Sequence, residues 1–542
     1  MLKPHALLLG LSVSLIACGQ SGGPGNDPAQ DAFFGGQPEF GAPLPAGAQP
    51  VTPGAFMDLV KDGARVVTAK DLADEKARQA QQDAQDEQDA RAYIQEHPEF
   101  GALLGPNPPD AINPDGDRLV SVPTAGGPKQ VVLMGPAFGR ASLATHARTF
   151  PTQGNQANLY AELYPDLAAA LGKLDINITQ FGLPTPEEAR QLDARHLLDL
   201  NRKVGSIARE YAGRISDLIF TLDPIASEVG TADQLDRTQK GACEAPANLG
   251  LYKNFDWPLK TLTTSVKDQG QRGTCWGFAT VAALEAEIAR RDHKEVNLSE
   301  QDYVGHRFLD WAPRDFGDGG DPLFIAQKAS AANYTFAYEK GWQYNKSLGR
   351  VVHSDTQTYT NSCDGYQDAT HNYGVCSDTN YQGYLMYVPF GGRIYLLRGL
   401  PNTGSSSGYR MQPPSDFWEQ DNKDRSMVIL LLRSVVGHAT TLTLDMRYVA
   451  PDANGYAPLQ TMKTLPNGTP DFQLTHVMTV TGFISSQNLA KKVPGAPIAD
   501  DYGYFIVKNS WGDCWGDQGY VYLPWTFVKT FTGQASTGLL PE

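Results

Sequence analysis

The most constraining feature of this sequence is a glycine-containing loop that leads directly into an apolar, alanine-rich stretch. The loop runs from Ser265 to Thr274, and Cys275 and Trp276 follow it. We expect residues 276–288 to be helical, which places Cys275 at a helix N-terminus, where unpaired amides and the macrodipole favour a thiolate over a thiol. The alternative is a buried cysteine that packs like a small hydrophobic residue. Its position between a glycine loop and a tryptophan argues against that alternative.

A nucleophilic thiolate needs an imidazole within hydrogen-bond reach and a third group that orients the imidazole. His476 opens an alternating strand over residues 476–483, and Asn509 follows another strand over residues 504–508. Either residue alone has a structural interpretation, because a strand histidine is more often structural and an asparagine can cap a turn. Together with Cys275, they favour nucleophilic catalysis.

In these segments the chain resembles the papain-like (cathepsin-like) cysteine peptidases. The resemblance covers roughly residues 250–530 and rests on blocks in the family's order, namely Gln269-Gly270 before Cys275-Trp276, Leu298-Ser299-Glu300-Gln301, Gly319-Gly320, His476, and Asn509-Ser510-Trp511-Gly512 with Trp515-Gly516 and Gly519-Tyr520. It implies an α+β, two-lobed fold in which a helical lobe carries the nucleophile and an antiparallel β lobe carries the histidine and asparagine. It implies a protein or peptide substrate, no metal and no cofactor.

The resemblance also implies a role for each matched catalytic residue. Cys275 would be the nucleophile, and His476 would act first as its base and then as an acid. Asn509 would hold the imidazole, and Trp511 would shield that hydrogen bond from water. The side-chain amide of Gln269 and the backbone N–H of Cys275 would form the oxyanion hole.

The substrate-binding cleft would include Trp511 and two matched glycines. Gly319 and Gly320 would line the cleft, because a substrate backbone can approach closely where no Cβ intrudes.

The local signature of the family, C-G-[SA]-C-[WY], is not met. Arg272 and Thr274 replace its first Cys and its Ser/Ala, and no Cys follows residues 298–301 to complete the family's disulfide. Thr475 stands before the histidine, where the family often has Asp or Asn. We therefore expect the disulfide at that first position to be missing.

The spacing between the catalytic residues is longer than the roughly 130–150 residues of the usual signature. His476 lies 201 residues after Cys275, and Asn509 lies 234 residues after it. This extra length predicts two insertions, one near residues 345–425 and the other near residues 485–501.

The sequence contains six cysteines. Cys275 is the candidate nucleophile, and Cys18 lies in a lipidation motif at the N-terminus that is described in the next paragraph. The remaining four allow three pairings into two bridges in an exported protein. Cys363–Cys376 is the favoured local loop because both lie in one predicted insertion. Its complement is Cys243–Cys514.

The N-terminus has the pattern of a targeting segment. Lys3 supplies a positive charge, and residues 6–16 form an apolar stretch that is too short to span a bilayer. Leu15-Ile16-Ala17-Cys18 resembles the lipobox of bacterial lipoproteins, although a signal with an incidental cysteine is the alternative. We expect residues 1–17 to be a signal peptide, Cys18 to be acylated, and residues 18–70 to be a Gly/Pro/Ala-rich tether. This predicts an exported, lipid-anchored protein of the bacterial cell envelope or exterior.

Residues 71–245 are predicted to form a mainly helical region before a catalytic domain over residues 246–542. Residues 71–95 predict an exposed helix or a disordered stretch that contributes no core. A capping box at Thr185–Glu188 precedes apolar residues spaced by three or four, which predicts one long amphipathic helix over 185–220. The region is either a removable pro-region or a stable accessory domain.

Within the catalytic domain, the apolar run Met427–Val436 is interpreted as a core strand. The net charge of −15 argues against a nucleic-acid partner, because phosphate binding needs clustered Lys and Arg. The leading hypothesis is a cysteine peptidase that works through a thioacyl-enzyme. The alternatives are a non-catalytic surface binding protein with the same fold, and a cell-wall amidase or transpeptidase with the same Cys-His-Asn chemistry.

Overall fold

A computed structural model of the chain describes residues 65–67, 69–222, 243, 246–307, 311, 318–341, 344, 385–390, 393–398 and 406–538. The predicted signal peptide, Cys18, Cys363 and Cys376 lie outside the described residues, as does most of the predicted 345–425 insertion. In the described part of the chain, no helix is both long enough and apolar enough to cross a membrane.

Helices dominate the first half of the chain and recur between the strands of the second half. The α-helices of the described residues are α1 (Ala69–Glu96), α2 (Pro136–Thr149), α3 (Gln153–Gly172), α4 (Pro186–Ala189), α5 (Ala194–Glu210), α6 (Ala212–Ile215), α7 (Leu251–Asn254), α8 (Cys275–Asp292), α9 (Glu300–His306), α10 (Pro322–Ala331), α11 (Lys423–Val436), α12 (Ser486–Lys492) and α13 (Trp525–Phe531). Short 3-10 helices cover Pro98–Leu104, Ile178–Phe181, Glu339–Gly341, Gln420–Asn422 and Met446–Tyr448.

The strands of each sheet pair antiparallel with one another. They are β1 (Arg65–Val67), β2 (Arg118–Val122), β3 (Lys129–Leu133), β4 (Leu385–Phe390), β5 (Arg393–Arg398), β6 (Ser415–Asp416), β7 (Thr440–Leu444), β8 (His476–Ser485), β9 (Gly503–Lys508), β10 (Tyr520–Pro524) and β11 (Thr532–Thr537). The main sheet has the order β10-β9-β8-β7-β11-β6, β2 and β3 form a separate hairpin, and β1, β5 and β4 form a third sheet. The predicted α+β class is therefore the observed one.

The main sheet is buried on both faces, and every residue of β8 and β9 is buried. Val477 and Ile506 belong to the hydrophobic cluster that contains α8. Met478 and Val507 belong to a second cluster, which contains α11. Because successive side chains of a strand point to opposite faces, α8 and α11 cover opposite faces of the sheet.

Helix α8 packs on the main sheet and is buried over most of its length. Its residues from Cys275 to Ala289 are all buried, and five of them are alanines. The Oγ1 of Thr479 in β8 donates a hydrogen bond of 3.1 Å to the carbonyl of Ala279. The helix ends where His293 adopts a left-handed conformation with φ +52°. This packing fixes the start of α8 relative to the first residues of β8.

The prediction of a core strand over Met427–Val436 was wrong, because these residues form most of α11. Every residue from Arg425 to Val436 is buried. The helix lies between the main sheet and the N-terminal helices α3 and α5, so apolar residues surround it. A helix buried on all sides shows no helical periodicity, and its sequence therefore looks like a buried strand.

The N-terminal region contributes more residues to the hydrophobic core than the sequence predicted. Residues 71–95 lie in α1, and Ala90 and Ile94 on this helix are buried, although no core role was expected. The long helix predicted over 185–220 is divided into α4, α5 and α6. Asp193 caps the N-terminus of α5, because its side chain accepts a hydrogen bond of 2.9 Å from the backbone N–H of His196. The chain therefore begins a new helix at Ala194.

Candidate active site

Cys275 is the first residue of α8 and is fully buried. The loop before it is held by backbone pairing with the segment after β9, since the N–H of Gln269 donates to the carbonyl of Ser510 over 2.8 Å. Gly270 turns the chain with φ +62°, a conformation that glycine adopts without strain. The sequence prediction of a cysteine at the end of a loop and the start of a helix is therefore confirmed.

His476 and Asn509 are brought together by the pairing of β8 with β9. His476 is the first residue of β8, and Asn509 directly follows β9. The Nε2 of His476 lies 2.8 Å from the Oδ1 of Asn509, and both side chains are buried. Because an amide oxygen only accepts hydrogen bonds, Nε2 is the protonated nitrogen and Nδ1 carries the lone pair.

His476 and Cys275 are close to each other in the fold. The Cys275 thiol interacts with the backbone of Val477, the residue after His476. Within the described part of the chain, the Nδ1 of His476 is buried without a hydrogen-bond partner. An unprotonated, unpaired imidazole nitrogen next to a thiol has the properties of a general base.

Trp511 covers the histidine. Its ring centroid lies 4.8 Å from that of His476, and only 2% of its surface is exposed. Trp515 supports it from the side in a T-shaped contact, with ring centroids 5.3 Å apart. The hydrogen bond between His476 and Asn509 is therefore surrounded by aromatic surface that excludes water.

Gln269 lies in the same buried environment, and both ends of its side-chain amide are engaged. Its Oε1 accepts a hydrogen bond of 2.5 Å from the Oγ of Ser510. Its Nε2 donates a hydrogen bond of 2.6 Å to the carbonyl of Arg272. The amide nitrogen has a second proton, which is the one available for a developing oxyanion.

The two predicted cleft glycines lie beside the start of α8. A Cβ at Gly320 would lie 2.9 Å from the Cε2 of Trp276, so a larger residue does not fit there. The indole Nε1 of Trp276 also donates a hydrogen bond of 2.8 Å to the carbonyl of Asp318. These contacts place Gly319 and Gly320 as a wall beside the nucleophile.

Comparisons with known proteins match the part of the chain that carries these residues. A sequence profile of the papain family of cysteine proteases matches residues 251–386 and 463–528. In these two segments the chain is similar to the papain family of cysteine proteases. The family match confirms the papain-like fold, with α8 in the helical lobe and the main sheet in the β lobe.

The relatives found by sequence cover about half of the chain. Cysteine proteinase EP-B 1 of Hordeum vulgare is 24% identical over 271 residues, which are 50% of this chain and 53% of the relative. Cathepsin L2 of Homo sapiens is 26% identical over 279 residues, or 51% of this chain and 61% of the relative. The chain thus spans between half and about three fifths of the length of these relatives. The solved bromelain protease from Ananas comosus has 17% identity and a TM-score of 0.30, and covers 51% of this chain and 93% of its own.

The papain-family match is interrupted between residues 387 and 462. This interval contains β5, β6, α11 and β7. The sequence predicted insertions near 345–425 and 485–501, and the second of these falls inside the matched part. Helix α11, which packs on both the main sheet and the N-terminal helices, lies in this unmatched interval together with the sheet strand β7.

Burial favours the neutral forms of both Cys275 and His476. Burial raises the pKa of Cys275 to about 12, and the nearby Asp117 carboxylate contributes in the same direction. Burial lowers the pKa of His476 to about 4, although its hydrogen bond to Asn509 opposes this shift. The sequence predicted a stabilised thiolate at the helix N-terminus. In this structure that prediction is wrong, because the desolvation of the thiol outweighs the helix end.

The site is covered by the β2–β3 hairpin (residues 118–133) and the Met134 that follows it, a cover that sequence reasoning missed. The N–H of Met134 donates a hydrogen bond of 2.9 Å to the carbonyl of Thr475. The Met134 side chain lies against Gly319, and a Cβ at Gly273 would be 2.9 Å from its Sδ. At the other end of β3, the Nζ of Lys129 donates a hydrogen bond of 2.8 Å to the carbonyl of Trp511. No local motif marks this segment.

Cys243 and Cys514 form a disulfide with an S–S distance of 2.04 Å. This is one of the two pairs predicted from the sequence. The tip of the β2–β3 hairpin rests on it, because the N–H of Ala125 donates a hydrogen bond of 2.9 Å to the carbonyl of Cys514. Cys275 is the one free cysteine among the described residues.

A buried cluster of charges lies between α8 and the sheet, next to Asn509. The Nζ of Lys267 is 2.6 Å from Glu300 and 3.2 Å from Glu285, while the Nζ of Lys508 donates a hydrogen bond of 2.8 Å to the carbonyl of Thr264. These side chains tie the loop before Cys275 to the end of β9. No group of three or more His, Cys, Asp or Glu side chains that could hold a metal ion occurs within the described residues.

Proposed function

We propose that the protein is a cysteine peptidase that hydrolyses peptide bonds through a thioacyl-enzyme on Cys275. The observation that carries this proposal is the buried pair of His476 and Asn509 at the start of α8. The hydrogen bond to Asn509 uses Nε2 and leaves the Nδ1 of His476 as an unpaired base. The next residue, Val477, contacts the Cys275 thiol through its backbone. A binding protein would not require a base, an orienting amide and a nucleophile in this arrangement.

The mechanism follows from these positions. The Nδ1 of His476 takes the thiol proton, and the thiolate attacks the carbonyl carbon of the scissile peptide bond. The amide of Gln269 and the backbone N–H of Cys275 stabilise the oxyanion, which is typically worth about 3–4 kcal/mol of the barrier. His476 then protonates the leaving amine. Water, deprotonated by the same imidazole, hydrolyses the thioester and releases the acid.

The covered site supports a resting form that is closed to substrate. Cys275 and His476 are completely buried, and Met134 occupies the space beside the cleft wall. A neutral thiol and a neutral imidazole do not form the reactive ion pair, so this form is chemically as well as sterically inactive. Activation requires displacement of the β2–β3 hairpin. This displacement exposes the thiol and lowers its pKa.

The rest of the N-terminal region supports an accessory domain rather than a removable pro-region. Helices α3 and α5 form one hydrophobic cluster with α11, and α11 also packs on the main sheet. Arg433 of α11 forms ion pairs of 3.1 Å with Glu162 and 3.2 Å with Asp166, both on α3. Removal of α3 would expose apolar surface and leave the buried Arg433 without partners, which is costly.

The proposed location is the bacterial cell envelope, with a lipid anchor at Cys18. The support is the lipobox-like segment Leu15–Cys18 and the disulfide Cys243–Cys514, since structural disulfides persist mainly outside the reducing cytosol. Mass spectrometry of the N-terminal peptide from membranes of the bacterial source should find an acylated Cys18. An unmodified Cys18 in the mature chain would contradict the anchor.

The peptidase proposal is tested by active-site labelling and turnover. A peptidyl epoxide should label the protein on Cys275 once the hairpin has been displaced by limited proteolysis, and fluorogenic peptides should be cleaved. Cys275→Ala should lose both labelling and at least about a thousandfold of turnover, because it removes the nucleophile. Peptidoglycan-derived peptides are assayed in parallel. Turnover of these alone identifies a cell-wall amidase or transpeptidase, and no labelling of the folded, opened protein rejects the peptidase.

A further inference from the structure

Arg272 is a fully buried arginine, 1% exposed, in the loop that leads to the nucleophile. Its Nε and Nη2 donate hydrogen bonds of 3.0 and 3.2 Å to the two carboxylate oxygens of Asp318. Its Nη1 donates a hydrogen bond of 3.1 Å to the Oε1 of Gln301, and its Cζ lies 5.2 Å from the ring centroid of Tyr344. We call these four residues the Arg272 clamp.

The clamp occupies the place where the family signature has a half-cystine. In C-G-[SA]-C-[WY], the first Cys stands three residues before the nucleophile, and Arg272 stands at that position here. The covalent link is absent, since Cys275 is the one free cysteine among the described residues and Cys243 pairs with Cys514. A bidentate Arg–carboxylate pair is the non-covalent contact with the most defined geometry.

On one side, the clamp sets the position of the cleft wall. Asp318, which receives both guanidinium bonds, directly precedes Gly319 and Gly320. The Asp318 carbonyl also accepts a hydrogen bond of 2.8 Å from the Nε1 of Trp276, and Arg307 donates a hydrogen bond to the carbonyl of Gly319. The wall is therefore tied to the loop before the nucleophile through Arg272 and to the helix through Trp276.

On the other side, the clamp sets the amide of the oxyanion hole. The carbonyl of Arg272 accepts the hydrogen bond of 2.6 Å from the Nε2 of Gln269. The Oη of Tyr344 donates a hydrogen bond of 3.0 Å to the carbonyl of Gln269 and lies 2.6 Å from the Oγ1 of Thr274. The position of Arg272 thus determines which direction the remaining amide proton of Gln269 takes.

We infer that Arg272 is a positioning residue that replaces the missing disulfide, and that it holds the oxyanion-hole amide of Gln269 and the wall at Gly319 in one fixed geometry. This inference rests on the proposed peptidase activity. It predicts two separable kinetic effects, because displacement of the amide affects transition-state stabilisation and displacement of the wall affects substrate binding.

The test compares Arg272→Lys with a matched control in protein that has been opened as for the wild type. Lysine keeps the charge but cannot form two parallel bonds to Asp318. Arg425→Lys makes the same change in a buried Arg–Glu419 pair of 2.5 Å on the other face of the sheet. Rates are expressed per site titrated with a peptidyl epoxide, and thermal unfolding is followed for each variant. We expect R272K to lower kcat about tenfold and to raise KM about tenfold, while R425K leaves both unchanged.

A double-mutant cycle with Gln269→Ala separates positioning from general destabilisation. Loss of one oxyanion donor should lower kcat by about 10²–10³-fold. In the Q269A background, R272K should no longer lower kcat but should still raise KM. Asp318→Asn, a second variant that is isosteric, should raise KM if R272K does not fold.

The result that overturns the inference is a kcat loss that is equal in both backgrounds, or effects of R272K that R425K reproduces. Unchanged kcat and KM in folded R272K and D318N overturn it as well. A wild type that fails to cleave any peptide after opening rejects the proposed function instead, so the two failures are distinct.

Discussion

The cover over Cys275 makes a quantitative prediction for Met134→Ala. Only 2% of Met134 is exposed, and its side chain packs against the cleft wall and the loop before the nucleophile. Burial of a methionine side chain is worth roughly 1.5–3 kcal/mol. If truncation removes about 2 kcal/mol from the closed form only, the open population rises about 30-fold, since 1.4 kcal/mol corresponds to a factor of ten.

The assay measures how often the thiol of Cys275 becomes accessible in the full-length protein. Iodoacetamide is added to wild type and M134A at one pH, and alkylation of the Cys275 peptide is followed by mass spectrometry over time. The hydrogen bond between the N–H of Met134 and the carbonyl of Thr475 does not involve the side chain, so the hairpin should still close in the variant. We expect alkylation of Cys275 to be about 30-fold faster in M134A, with unchanged far-UV circular dichroism.

Met427→Ala is the control for general loss of stability. Met427 is fully buried in α11, on the face of the sheet opposite Cys275, so its truncation destabilises the fold without removing the contact between Met134 and the cleft wall. The two variants lose the same side-chain atoms. Alkylation in M134A that is no faster than in M427A would refute the reasoning, because Cys275 would then become accessible by global unfolding and not by local opening of the cover.

Two further predictions concern stability. Burial alone would lower the pKa of His438, but the carboxylates of Asp166 and Glu287 raise it to about 9. His438→Gln should therefore cost roughly 3 kcal/mol of unfolding free energy. The full cost should be present below pH 6.5, where the histidine is protonated in both the folded and the unfolded state. In urea titrations, the wild type should lose this contribution as the pH rises from 6.5 to 9, and a variant with the same pH dependence as the wild type would contradict the assignment. The bond between Cys243 and Cys514 spans 271 residues, so Cys243→Ser should cost up to roughly 5 kcal/mol. Dithiothreitol should destabilise the wild type more than the variant, and the difference should equal the contribution of the Cys243–Cys514 bond.

The candidate catalytic residues could be proposed from the sequence because their signals are local. Cys275 follows a loop and begins a helix, and His476 and Asn509 lie at the ends of strands that pair in the sheet. The order of these residues along the chain and their types were sufficient to propose the site. The fold brings together the start of one helix and the ends of two paired strands. The disulfide partner of Cys514 could be proposed by the same kind of reasoning, from the number of cysteines that remained.

The cover could not be found in this way, because its contacts depend on tertiary structure alone. Lys129 meets Trp511 across 382 residues, and Met134 meets Thr475 across a similar distance in sequence. The same long-range contacts reverse the electrostatic prediction for Cys275. The helix N-terminus does favour a thiolate, but the thiol is fully buried, and its desolvation has the larger effect on its pKa.

The division of the N-terminal region into a hairpin and a helical part determines how the site can open. The hairpin contacts the cleft through Met134, Lys129 and backbone hydrogen bonds, and two residues of β3, Val131 and Leu133, are buried in the hydrophobic cluster that contains α11. Helices α3 and α5 contribute ten buried residues to this cluster, against two from the hairpin, and the papain-family match does not include α11. Because segments with few buried apolar contacts open at the lowest free energy, the hairpin should move while α3, α5 and α11 stay in place. Hydrogen exchange should therefore show fast exchange of the β2–β3 amides under conditions where those of α11 remain protected, and equal protection of both would mean that the region opens only as a whole.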